Sequence, residues 1–249
     1  MQRFRATLAY DGTVYAGFQR QAGGTPTIQG AVEQALKRVT GQPVTVLGAG
    51  RTDAGVHATG QVIAFDVAWR HEPEALLRAL NANLPTDIAL QTLAVAAPGF
   101  HPRYSARSRT YEYHFYVGRV RQPLWDRYAW QIPYSLDRAA MACAAALLVG
   151  EHDFATFGQP PGQHRPASTV RTVLRSEFAW GQPGERCRYT ITANAFLQRM
   201  VRSIMGTLVE VGRGAMDCEM FAAVLAAADR SQAGPSAPPH GLTLVSVEY

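Results

Sequence analysis

The segment best suited to chemistry is Gly48-Ala49-Gly50-Arg51-Thr52-Asp53-Ala54-Gly55-Val56-His57-Ala58-Thr59-Gly60, in which four glycines surround one carboxylate. Glycine permits positive φ and close backbone approach, so such density between two apolar runs predicts a tight, shaped loop that holds Asp53 still. A carboxylate fixed in this way is anionic at neutral pH and can serve as a nucleophile or a base. The same residues also fit a glycine-rich hairpin whose Asp caps a turn and whose Arg51 is solvated. A histidine in such a loop is more often a hydrogen-bonded structural group than an acid–base group, so His57 stays outside the catalytic set, and Asp11 reads as a turn residue.

A second stretch carries charge. From His101 to Arg121 there are five arginines and one glutamate, interleaved with Tyr104, Tyr111, Tyr113, Phe115 and Tyr116. Arginines for phosphates beside aromatics for base stacking suit a single-stranded RNA surface, with Arg103, Arg107, Arg109 and Arg121 as backbone contacts. A solvated strand face gives the same pattern. The net charge of +5 and a pI of about 9.3 agree with an anionic partner. Cys143, Cys187 and Cys218 are odd in number and form no C-x-x-C pair, which supports neither a disulfide framework nor a zinc site and suits a reducing cytoplasm. No apolar run approaches the ~18 residues of a membrane span, and no leader is expected.

These segments must be positioned by elements that the periodicity predicts. Phe4, Ala6, Leu8 and Tyr10 alternate with Arg5, Thr7 and Ala9 as a strand that stops at Asp11-Gly12. Thr25-Pro26 supplies an N-cap and first helical position, Ile28, Val32, Ala35, Leu36 and Val39 share a face, and Gly41 ends the helix. Strands are expected over 43–47, 61–67 and 87–95, with a helix over 73–81. The order βαββαβ is that of the split-βαβ, ferredoxin-like unit. Beyond it, strands are expected over 110–117, 169–177, 186–193 and 242–247, and helices over 196–211 and 217–228, with an alanine-rich helix opened by Ser135 or Asp137 and running through Leu148 to Gly150. A long loop over 151–167 holds Pro160, Pro161 and Pro166, and Gly181-Gln182-Pro183-Gly184 turns a hairpin. The expected fold is therefore α+β, with two ferredoxin-like (RRM-like) halves, 1–102 and 103–249. Their sheets would join into one mixed sheet beside a central cleft.

The chain resembles the TruA family of tRNA pseudouridine synthases over nearly its full length. The blocks include Tyr10-Asp11-Gly12-Thr13 with Gly17-Phe18-Gln19, Gly50 to Ala58, Phe100-His101-Pro102-Arg103-Tyr104-Ser105-Ala106 and Arg109-Thr110-Tyr111-Glu112-Tyr113. Phe196 to Arg202, Gly206-Thr207-Leu208, Val211 to Gly214 and Ala237 to Leu242 complete the set. Ser203 departs from the asparagine usual in the family. The resemblance implies isomerisation of uridine to pseudouridine at positions 38, 39 and 40 of the tRNA anticodon stem-loop, by a homodimer that uses neither metal nor organic cofactor. It implies Asp53 as the catalytic residue and Arg51, Tyr111, Arg202 and Leu242 around the substrate, with Tyr111 stacked on the uracil. Arg202 is expected to pair with Asp53. Two other classes fit parts of the sequence: a non-catalytic RNA-binding module, and a metal-assisted phosphohydrolase using Asp53 and Asp66, which would need further clustered ligands.

Overall fold

The structure, a computed structural model, describes residues 1–159, 168–182 and 185–249. The chain is α+β and divides into two compact units, Met1–Arg107 with Thr243–Tyr249, and Ser108–Leu242.

In the first unit, β1 (Gln2–Tyr10) lies between β3 (His57–Val67) and β4 (Ile88–Val95), antiparallel to both. The alternation of β1 buries Phe4, Ala6, Leu8 and Tyr10. Because β1 occupies one edge of β3 along its length, β2 (Leu47–Gly48) and β10 (Leu242–Glu248) share the other edge. β2 pairs antiparallel at Leu47↔Ala64, and β10 pairs parallel at Thr243↔His57. Helix α1 (Ile28–Thr40) buries Ile28, Val32, Ala35 and Leu36, and α2 (Pro73–Asn83) buries Leu76 and Leu80.

Three local expectations are corrected here. The cap of α1 is Thr27, whose Oγ1 accepts from Gly30 N at 3.2 Å, not Thr25. Pro26 cannot open the helix because its carbonyl is held by Ala16 N. The strand expected over 43–47 shrinks to two residues, since α1 side chains take the Val46 backbone: Glu33 accepts its N–H and Gln29 donates to its carbonyl. β3 begins four residues early, inside the stretch read as loop, because His57 and Ala58 pair with β10 and Ala58 also with Tyr10.

In the second unit the strand order is β5 (Ser108–Val117), β9 (Arg186–Ala193), β8 (Val170–Ala179), β7 (Gly150–Asp153), antiparallel throughout, with β6 (Trp130–Ile132) parallel to β5. At three and four residues, β6 and β7 are too short to show a period, and neither was expected. β7 takes the start of the segment read as a long loop; Pro160, Pro161 and Pro166 lie outside the described residues, as do Pro183 and Gly184 of the expected turn. The helices are α3 (Arg138–Ala146), capped by Asp137, α4 (Met200–Gly212) and α5 (Cys218–Ala226). α4 starts four residues later than its apolar run suggests. Gln198 N bonds Gln159 O, and Arg199 sits at φ +63°, which turns the chain into the helix.

Cys143 on α3 and Cys218 on α5 form a disulfide, contrary to the expectation from cysteine number. The packing of α3 beside α5 brings together two positions 75 residues apart, a pairing that local spacing cannot show. Closing a loop of that length stabilises by about 2–4 kcal/mol, so a reducing agent should lower the thermal midpoint by roughly 5–15 °C. Alkylation after denaturation without reductant should label Cys187 alone; three labelled thiols would show that the bond does not form.

Candidate functional site

Asp53 lies in the eight-residue connection from Ala49 to Val56 between β2 and β3, half-buried, with Arg51 exposed before it and Thr52 buried between them. Most of what holds it comes from the segment after β1. Phe18 N donates to Thr52 O at 3.0 Å, and Gly55 N to Tyr15 O at 3.4 Å. Gly17, at φ +94°, lies so close that a Cβ there would sit 2.7 Å from Thr52 O. Gly12 meets the other end, where a Cβ would fall 2.0 Å from Val56 O. The loop also closes on itself through Val56 N to Asp53 O at 3.2 Å.

Buried polar groups anchor both ends. At the exit, His57 Nδ1 accepts from Gly12 N at 3.1 Å and lies 3.1 Å from Asp11 Oδ1. Asp11 Oδ1 in turn accepts from Thr13 N at 3.0 Å, as a turn aspartate does. At the entry, Tyr10 Oη meets Thr52 Oγ1 at 2.8 Å and Gln61 Nε2 donates to Gly50 O at 3.0 Å. The four glycines of the motif divide their tasks. Gly55 alone has positive φ, +76°, while Gly48 makes room for the Phe18 ring and Gly60 for Val245 O. Sequence reasoning singled out Asp53 without its brace, because Tyr10, Gly12 and Gly17 read as a strand end and a loop. Asp66, the second carboxylate of the phosphohydrolase reading, is held by Arg3 across β1 and β3 at 2.7 Å.

In the second unit, Tyr111 is 8% exposed on β5, opposite Ile191, with its ring edge-to-face with Phe196 at 5.0 Å. Tyr113, Phe115 and Tyr116 are buried, so these three of the aromatics expected to form an RNA platform face the core instead, whereas Tyr104 is exposed. Period-two alternation in a half-buried strand produces the same sequence pattern. The Tyr113 hydroxyl, pushed well up by burial, donates to Pro238 O at 2.8 Å.

Arg202 is half-buried on α4 and donates from Nε to Ala237 O at 2.8 Å, while Ala237 N returns a bond to Arg202 O. The segment carrying Ala237 lies so tightly on α4 that a Cβ at Gly206 would stand 1.7 Å from Pro235 O. Ser203 Oγ meets Ser236 Oγ at 3.1 Å. Leu242, the first residue of β10, is buried.

The four basic candidates separate. Arg103, Arg107 and Arg121 are exposed, and Arg121 Nε lies 3.7 Å from Asp126 Oδ2. Arg109 is 8% exposed and donates to Asn194 O at 2.8 Å. Replacing Arg103, Arg107 or Arg121 by alanine should therefore flatten the log–log salt dependence of RNA affinity by about one unit or less each, with stability unchanged. Arg109→Ala should lower stability by about 1–3 kcal/mol, because a buried bond to a charged donor is lost. Filter binding across a salt series and urea unfolding read the two effects; a salt slope unchanged by all three exposed replacements would remove them from the interface.

A profile described as tRNA pseudouridine synthase matches residues 6–105 and 144–249, and the chain belongs to that family of isomerases, which act on tRNA uridines. Its relatives named tRNA pseudouridine synthase A include that of Neisseria gonorrhoeae, 44% identical over 248 residues, with 100% of this chain and 92% of the relative covered. That of Moorella thermoacetica is 46% identical over 253 residues with both chains covered completely. That of Chloroflexus aurantiacus is 45% identical over 251 residues, with 100% and 89% covered. No helix of the described residues is long and apolar enough to cross a membrane.

Proposed function

We propose that the chain isomerises uridine to pseudouridine at positions 38, 39 and 40 of the anticodon stem-loop of tRNAs, with Asp53 as the nucleophile and the target base flipped from its stack. The observation that carries this reading is the half-buried Asp53, on a loop gripped through backbone bonds and two glycine contacts within a chain of the family. The proposal includes action as a homodimer, two ferredoxin-like halves, and a cytoplasmic location that rests on the tRNA substrate, since the Cys143–Cys218 disulfide removes the cysteine argument for a reducing compartment. The β4-β1-β3-β2 order of the first unit supports the fold reading there.

Isomerisation breaks the N1–C1′ bond, forms C5–C1′, removes the proton from C5 and leaves one on N1, so the overall reaction requires neither oxidant nor reductant. The base must first leave the stack, at a cost of a few kcal/mol. Asp53 then attacks C6 of the ring, attacks C1′ of the ribose, or assists departure of the base. Each route needs an anion held in place while the base rotates. Arg51, Tyr111, Arg202 and Leu242 are the proposed substrate-binding residues, Tyr111 stacking on the uracil. Tritium release from tRNA carrying uridine labelled at C5 tests the reaction itself, and no release above background would refute it.

The Tyr111 hydroxyl is also proposed to relay the C5 proton, so Tyr111→Phe, which keeps the stacking face and removes only that hydroxyl, should bind tRNA normally and lose most turnover. Tyr111→Ala should also weaken binding, by the ~1–3 kcal/mol that one stacked base contributes. Full turnover by the phenylalanine variant would leave Tyr111 as a platform without a proton role.

A further inference from the structure

We infer that Tyr10 is a positioning residue for the reaction, fixing Asp53 through the hydroxyl of Thr52 and the backbone that Gln61 holds. This rests on the reading of Asp53 as nucleophile. Tyr10 is 4% exposed, Thr52 6% and Gln61 0%, so the three form a polar cluster shielded from water beneath the loop. Tyr10 Oη lies 2.8 Å from Thr52 Oγ1, and Gln61 Nε2 donates to Gly50 O at 3.0 Å. The two bonds grip the loop on either side of Arg51, at the residue before Asp53 and the residue three before it. Thr52 is gripped a second time, by Phe18 N on its carbonyl.

Gln61 Oε1 has no hydrogen-bond partner among the described residues. Tyr10 is not placed to exchange protons during the reaction. Burial, opposed by hydrogen bonds from Thr52 and Gln61, pushes its hydroxyl up to about 12, and it stays protonated at neutral pH. What remains is geometry. Asp53 follows Thr52 directly, so a rotation at residue 52 carries the carboxylate with it, and a misplacement of about 1 Å can cost 10²-fold in rate.

The test is Tyr10→Phe in the full chain, which keeps the ring in the core and removes only Oη, assayed with tRNA well below the thermal midpoint. The expected result is a fall in kcat of about 10- to 100-fold with KM and tRNA affinity within about 2-fold. The pH profile should keep its shape and drop uniformly. Thr52→Val should reproduce the effect and Thr52→Ser should restore most of kcat; if Tyr10→Phe does not fold, this pair carries the same test from the other partner. A kcat within 2-fold of the unaltered protein, or a profile that loses one limb, would overturn the inference. Asp53→Asn is assayed in parallel. Turnover in that variant defeats the nucleophile reading, whereas an inactive Asp53→Asn beside a fully active Tyr10→Phe defeats only the positioning role.

Discussion

Asp53→Asn should leave tRNA affinity within a few-fold and reduce pseudouridine formation by about 10⁴-fold or more, the scale seen when a nucleophile is removed from an otherwise intact site. Asparagine is nearly isosteric with aspartate. The backbone bonds of the loop, Phe18 N to Thr52 O and Val56 N to Asp53 O, do not use the Asp53 side chain, so the substitution leaves them in place. The substitution removes the charge and the nucleophilic oxygen. Tritium release measures turnover and a gel shift measures binding. A variant that keeps a tenth of normal turnover would place the chemistry elsewhere, and one that loses binding to the same extent would make the carboxylate a recognition group.

How much of this was legible in the sequence differs between the two units. Phe4, Ala6, Leu8 and Tyr10 announce β1 because a half-buried strand repeats every two residues, and all four are buried in a strand that ends at Tyr10. β6 and β7 announce nothing, because three or four residues hold no period. The aromatics of β5 were ambiguous for a deeper reason: residues alternating toward a core and residues alternating toward a ligand leave the same trace, and only burial separates them. Arg109 shows the same limit, since a guanidinium buried against Asn194 O and one reaching a phosphate are the same letter. The disulfide was invisible because it depends on the packing of α3 against α5. Around Asp53 the glycine count was informative, but its physical meaning was only half read. Positive φ explains Gly55; Gly48 and Gly60 are there for closeness to a ring and a carbonyl, which becomes visible only when the partner segments are known.

That closeness gives the second large effect. Gly17→Ala should destabilise the protein by roughly 2–5 kcal/mol and abolish most turnover, because two costs fall on one atom. At φ +94° an L-residue is strained, by about 1–2 kcal/mol in the left-handed region. The new Cβ would also stand 2.7 Å from Thr52 O, a backbone atom that cannot rotate away as a side chain would, and overpacking of this kind costs about 1–3 kcal/mol. Relief requires the Asp53 loop and the 12–18 segment to separate. Separation would lengthen the 3.0 Å bond from Phe18 N to Thr52 O and loosen the residue before the carboxylate. The activity loss should therefore exceed what the unfolded fraction explains at temperatures where the variant is folded. Gly50→Ala is the control for stability, since Gly50 has no positive φ and an added Cβ there meets nothing within 4 Å; it should change stability by about 0.5 kcal/mol or less. Equal stability of the Gly17 and Gly50 variants in urea unfolding would show that the two segments are not in the contact described, and the brace around Asp53 would have to be sought in other residues.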